Sequence, residues 1–277
     1  MRLLARSCWL LALWRGAAAA AAGDAECHDG SDAGSEQCTD ELGRFLEWLE
    51  EGGATIHPSL TVRPGEGGMR GLHATGTVEE GAELARVPRN LWLDEATALK
   101  SDELGELLKT VKEQAKGMPE HVPLLIYLVA ERLKGADSFW HPYFQWLPDL
   151  RSLPMAFSPP QRAKLIASAP PSLINQLVDM SWHDADLEFE MLKTRVFDPR
   201  PALFRQAPPG GGNVLVPQRL RAAFDWAYNA LYSRTISREV GHFTAMIPFV
   251  DTPNHVNVDE ENHAGPSGLF DVEALVS

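Results

Sequence analysis

Apolar residues in TDELGRFLEWLEEGG fall at Leu42, Phe45, Leu46 and Leu49, the three- and four-residue spacing of one helix face. The pattern predicts a helix that starts after Thr39, a residue suited to capping the first free N–H groups, and stops at Gly52 and Gly53. The next stretch, SLTVRPGEGGMRGLHATGTVEEGAELARVPRNLWL, splits its short apolar runs with Gly and Pro. That predicts short β-strands and tight turns. From about residue 94 to about 236 the periodicity is helical. In HVPLLIYLVAERLKG, Val122, Leu125, Ile126, Val129 and Leu133 share a face, Pro123 suits a first turn, and Gly135 ends the helix. SPPQRAKLIASA opens as another capped helix, and RPALFRQAPPGGGNV reads as a loop. PQRLRAAFDWAYNALYSRTI then sets Leu220, Phe224, Ala227 and Leu231 on one stripe, and strand-like sequence returns at HFTAMIPFV.

The order is β-rich, then a long helical insert, then β again. Pattern alone makes this an α+β chain. It divides into residues 1–22, an acidic linker at 23–38, a β-rich part at 39–93, the insert at 94–216, and a second β-rich part at 217–277.

Composition changes the picture in three places. The formal charge of −13 repels phosphate backbones and argues against direct nucleic-acid binding. At the start, Arg2 and Arg6 precede an apolar run from Cys8 to Trp14, followed by alanines. That is the layout of a secretory signal peptide, or of the first part of a plastid-targeting leader that uses the same route. The run is too short to span a bilayer, and the mature chain is expected to have no membrane span. Cleavage after the alanines would leave Cys27 and Cys38, which either close a short disulfide loop or remain free thiols.

Candidate chemistry gathers at three positions. Arg234 lies three residues after Leu231 and seven after Ala227, so it continues an apolar stripe inward. A guanidinium there is an internal ion pair, a frayed helix end, or a fork for a ligand carboxylate. Asp251, Asn254 and His255 follow a strand in MIPFVDTPNH, where turn chemistry and ligand binding both fit. GEGGMRGLHATG permits close backbone approach to a ligand, but no helix follows as a dinucleotide fingerprint would require. Asp251, His255, Asp259, Glu260, Glu261 and His263 crowd together without the spacing of a known metal motif, so no metal is expected. No nucleophile motif occurs, and no catalytic residue is assigned.

Taken in order, these segments resemble the SET-domain methyltransferases, in particular the Rubisco large-subunit methyltransferase-like branch. FLEWLEEGGATIHPSLTV is similar to that branch's opening helix and strand. GGMRGLHATGTVEEGAELARVPRNLWL is similar to its glycine loop and "GE.L..VP..L". FWHPYFQWLPD resembles "W.PYL..LP", FDWAYNALYSRTI its Trp-containing helix ending in Ser-Arg, and MIPFVDTPNH the "lvP..D..NH" signature. The similarity covers about residues 40 to 262. It implies a SET-like β-fold of short strands split by a helical insert, S-adenosylmethionine as methyl donor, and a protein acceptor: lysine, or less commonly histidine. Gly68 and Arg70 would meet the cofactor mainly through backbone. Arg234 would sit near its methionine carboxylate, and Asp251 would support that pocket. Asn254 by its side chain and His255 by its backbone would hold the methionyl and adenine parts.

The family places a tyrosine downstream of the Asn-His pair, on a further strand, followed by a helical substrate-binding domain. Here the last tyrosine is Tyr232, and GLFDVEALVS ends the sequence 22 residues after His255. The expectation is therefore a C-terminally truncated SET chain, with an inactive SET-like binding module as the alternative to the enzyme.

Overall fold

The computed structural model describes residues 32–64, 70–114, 119–148, 150, 153, 156–168, 173–204, 217–238 and 243–253. The leader, the Cys27 half of the proposed disulfide, Gly68, the 205–216 loop, Asn254, His255 and the acidic stretch after them lie outside the described residues.

Helix α1 (Asp32–Glu51) begins seven residues before Thr39, so the end of the acidic stretch is helical. The anchored apolar face at 42–49 nucleates the helix. Extending a nucleated helix backward through Ser, Glu and Gln requires only weak propensity. Its end follows the sequence closely. Gly53 has φ +90, its N–H reaches the Glu50 carbonyl at 2.9 Å, and the Ala54 N–H reaches Leu49 at 2.8 Å. This is a Schellman cap, and it needs a residue without Cβ strain at Gly53.

Five short strands follow: β1 (Thr55–Ile56), β2 (Leu60–Pro64), β3 (Arg70–Ala74), β4 (Ala85–Arg86) and β5 (Leu93–Asp94). β2 and β3 form an antiparallel pair with Val62 opposite Leu72 and Pro64 opposite Arg70. β1 pairs with β4. Asp94 ends β5 and caps the next helix by accepting from the Thr97 N–H at 2.8 Å. Helices then run through α2 (Glu95–Leu99), α3 (Gly105–Gln114), α4 (Val122–Lys134), α5 (His141–Trp146), α6 (Pro159–Ser168) and α7 (Leu173–Leu192). At the start of α6 the Gln161 side chain accepts from the Ser158 N–H at 2.9 Å, half of a capping box.

α4 differs from its one-sided prediction. Leu124, Tyr127, Leu128 and Ala130 are buried along with the predicted face. The helix lies inside the molecule, packed by α2, α3 and α8 (Pro217–Arg234), so every side meets protein. α8 buries Leu220, Phe224, Ala227 and Leu231 as expected. It stops at Arg234, however, and the β-branched pair Thr235-Ile236 opens a strand, β6 (Thr235–Arg238). Pairing decides this: β6 runs antiparallel to β7 (Phe243–Met246), with Thr235 opposite Met246. β7 also pairs with β5, Leu93 opposite Met246. One three-stranded sheet thus joins segments on either side of the insert.

Candidate cofactor site

Two aromatic residues of the short helix α5 lie at the centre of the site. α5 packs on α1, where the buried Phe45 ring stacks with Tyr143 at 6.1 Å and Trp146 at 5.3 Å. Each fully buried ring contributes about 1.5–3 kcal/mol, and stacked pairs add about 0.5–1.5 kcal/mol. α5 is therefore rigidly held although it has only six residues.

Arg70, the first residue of β3, docks on this helix. Its Nη1 donates to the Trp146 carbonyl at 2.6 Å, and its guanidinium lies 4.4 Å from the Trp146 ring centroid. Its Nη2 is 3.6 Å from the Glu41 carboxylate of α1. Trp146 is the last residue of α5, so its carbonyl has no partner within the helix and suits a cation. Burial lowers the Arg70 pKa, Glu41 opposes that shift, and the charge of Arg234 adds to it. The two guanidiniums therefore feel each other.

Asp251 approaches from the other end of the chain. β7 leads into a buried turn in which the Asp251 N–H donates to Ile247 at 3.2 Å and the Thr252 N–H to Phe249 at 3.0 Å. Phe249 is buried with φ +71, a left-handed conformation that costs a bulky residue about 1–3 kcal/mol. The turn directs the Asp251 carboxyl inward, where Oδ2 accepts the Tyr143 hydroxyl at 2.7 Å. Burial raises the Asp251 pKa, while Arg234 and the Tyr143 hydroxyl pull it back. Burial first, and then the Asp251 carboxylate, push the Tyr143 phenol well above its usual range.

Arg234 closes the arrangement. It ends α8 and donates from Nη1 to the main-chain carbonyl of Asp251 at 2.9 Å. Its Nε is buried without a hydrogen-bond partner, as is Oγ1 of the neighbouring Thr252. A buried donor left unpaired costs about 1–3 kcal/mol, so each atom fits a polar ligand group as its partner. The structure thus brings Arg70, Arg234 and Asp251 together. Tyr143, Trp146 and Glu41 were not predicted. The only hint was the tyrosine and tryptophan inside FWHPYFQWLPD, which spacing alone reads as core.

The described part of the chain superposes on solved Rubisco large-subunit methyltransferase structures. One, bound to sinefungin and monomethyllysine, matches with a TM-score of 0.58 at 21% identity over 82% of this chain and 47% of that one. A SET-domain structure of the same enzyme bound to lysine and AdoHcy matches with a TM-score of 0.59 at 20% identity over 80% of this chain and 46% of that one.

The fold is a SET fold.

By sequence, the chain is similar to the chloroplastic Rubisco large-subunit N-methyltransferase of Nicotiana tabacum, with 26% identity over 84% of this chain and 44% of that protein. It is also similar to the N-lysine methyltransferase SETD6 of Rattus norvegicus, with 29% identity over 60% of this chain and 36% of that protein. A third relative is the chloroplastic [fructose-bisphosphate aldolase]-lysine N-methyltransferase of Arabidopsis thaliana, 23% identical over 88% of this chain and 47% of that protein. The chain spans less than half the length of these relatives. No protein-family model matches it. No helix among the described residues is long and apolar enough to cross a membrane, and the described residues form no cluster of metal ligands.

Proposed function

We propose that this chain carries the cofactor-binding SET domain of an S-adenosylmethionine-dependent protein-lysine N-methyltransferase. The supporting observation is the pair of buried, unpartnered polar atoms, Arg234 Nε and Thr252 Oγ1, beside the carbonyl that Arg234 grips. When bound, S-adenosylmethionine supplies an electrophilic methyl on a sulfonium. Arg234 Nε is the donor for its carboxylate, a charge-assisted contact. Asp251 holds the turn that orients Arg234. Gly68, Arg70, Asn254 and His255 complete the set by resemblance. Transfer to an incoming lysine, whose free pKa is near 10.4, would require its neutral form.

Lysine is preferred to histidine as acceptor because two of the matched relatives are named as lysine methyltransferases. The same names favour an enzyme over an inactive SET-like module. The division at 39–93, 94–216 and 217–277 belongs to this reading. So does a plastid or secretory destination for the leader, and the chloroplastic relatives favour the plastid.

Calorimetry with S-adenosylmethionine tests the proposal. Binding by the parent that is weakened in Arg234→Ala supports it, and transfer of labelled methyl to lysine in a protein acceptor completes it. A parent chain that does not bind the cofactor overturns it.

A further inference from the structure

Helix α5 belongs to the insert, yet it touches both walls of the site. Trp146 holds Arg70 through its carbonyl and ring. Tyr143, one turn earlier, reaches Asp251 at 2.7 Å. The Tyr143 hydroxyl has a specific task, because a fully buried phenol needs a partner and a buried carboxylate needs a donor. The groups facing the Asp251 carboxyl are Tyr143 from α5 and Arg234 from α8, with Arg70 of β3 beyond Arg234. Losing the hydroxyl would leave the carboxylate with less support and free the turn whose carbonyl aligns Arg234.

We infer that Tyr143 is a positioning residue for the cofactor: by donating to Asp251 it locks the turn that orients Arg234, so cofactor affinity depends on a side chain of the helical insert. This rests on the proposed S-adenosylmethionine reading. The charge balance sharpens it. Protonating Asp251 leaves the two guanidiniums less compensated. That disfavours a ligand with a cationic sulfonium more than S-adenosylhomocysteine, which lacks that charge. Without the Tyr143 hydroxyl, the carboxyl loses a hydrogen bond that favours its ionised form. The acid limb of S-adenosylmethionine binding then moves to higher pH.

The test is calorimetry on this chain with both ligands, from about pH 5 to about pH 8, for the parent, Tyr143→Phe, Asp251→Asn and the double variant, with folding checked by circular dichroism. Tyr143→Phe keeps the ring and its stacking. It is expected to weaken S-adenosylmethionine binding about tenfold, to move the acid limb upward, and to affect S-adenosylhomocysteine less at low pH. The double variant should bind like Asp251→Asn, since Tyr143 acts through Asp251. Should Tyr143→Phe fail to fold, the double variant, which leaves no unpaired carboxylate, still decides the matter by whether it matches Asp251→Asn. Parent-like affinity and pH profile in Tyr143→Phe, or further loss in the double variant beyond Asp251→Asn, overturns the inference while leaving the cofactor reading intact. Absence of binding by the parent instead removes the reading on which it stands.

Discussion

The guanidinium of Arg234 grips the main-chain carbonyl of Asp251 at 2.9 Å, while the carboxylate of the same residue accepts the hydroxyl of Tyr143 at 2.7 Å. One residue near the end of the described chain thus ties a helix terminus to the helical insert. Arg234 Nε remains buried and available.

Arg234→Lys should therefore not substitute for arginine. A lysine places a single flexible ammonium where a planar fork serves the carbonyl and a ligand at once. We expect Arg234→Lys and Arg234→Ala each to weaken S-adenosylmethionine binding by about 1.5–3 kcal/mol, the range for hydrogen bonds to charged groups. Calorimetry of the two variants checks this, and a lysine variant with parent affinity would contradict it.

Trp146 supports Arg70 from below with its ring and from the helix end with its carbonyl. Trp146→Ala removes a buried aromatic from the Phe45 stack as well. A loss of about 3–5 kcal/mol of folding stability is expected, read as a lower denaturation midpoint in urea. Trp146→Phe, which keeps a ring beneath the guanidinium, should lose much less.

All four tyrosines of the chain, Tyr127, Tyr143, Tyr228 and Tyr232, have phenol pKa values raised primarily by burial, Tyr232 to about 12. A folded value above the unfolded one means stability that is intact below the unfolded pKa of about 10 and is lost as pH rises toward the folded values. Tyrosinate absorbance should therefore appear together with unfolding at alkaline pH. Phenols that titrate near pH 10 in a chain with native circular dichroism would refute the burial of these side chains.

Gly135 ends α4 at φ +60 and ψ −123, and a Cβ there would meet no atom within 4 Å. Gly135→Ala isolates the backbone effect, expected at about 1–3 kcal/mol. Thermal unfolding of this variant measures it, and an unchanged midpoint would mean that the chain relaxes around position 135.

Local signals carried far along this chain. The Gly52-Gly53 stop, Pro123 at a first turn, the stripe from Leu220 to Leu231 and the strand before Asp251 all follow from periodicity and backbone freedom, which act between near neighbours. The inward direction of Arg234 was also legible, because it continues that stripe. Its partner was not: pattern left an ion pair, a frayed end and a ligand fork open, and the main-chain carbonyl of Asp251 that accepts from it appears only in the folded chain. The backward extension of α1 to Asp32 and the strand at Thr235 came from neighbours rather than propensity.

From sequence alone came the order of elements, the periodic faces and the net acidic charge. Tertiary structure alone decided that α5 bridges both walls, that Tyr143 serves Asp251, and that α4 is buried on every side. The physical reason is range. Helix and turn preferences are settled within a few residues, whereas Tyr143 and Asp251 are 108 positions apart and meet only because β5 and β7 pair across the insert.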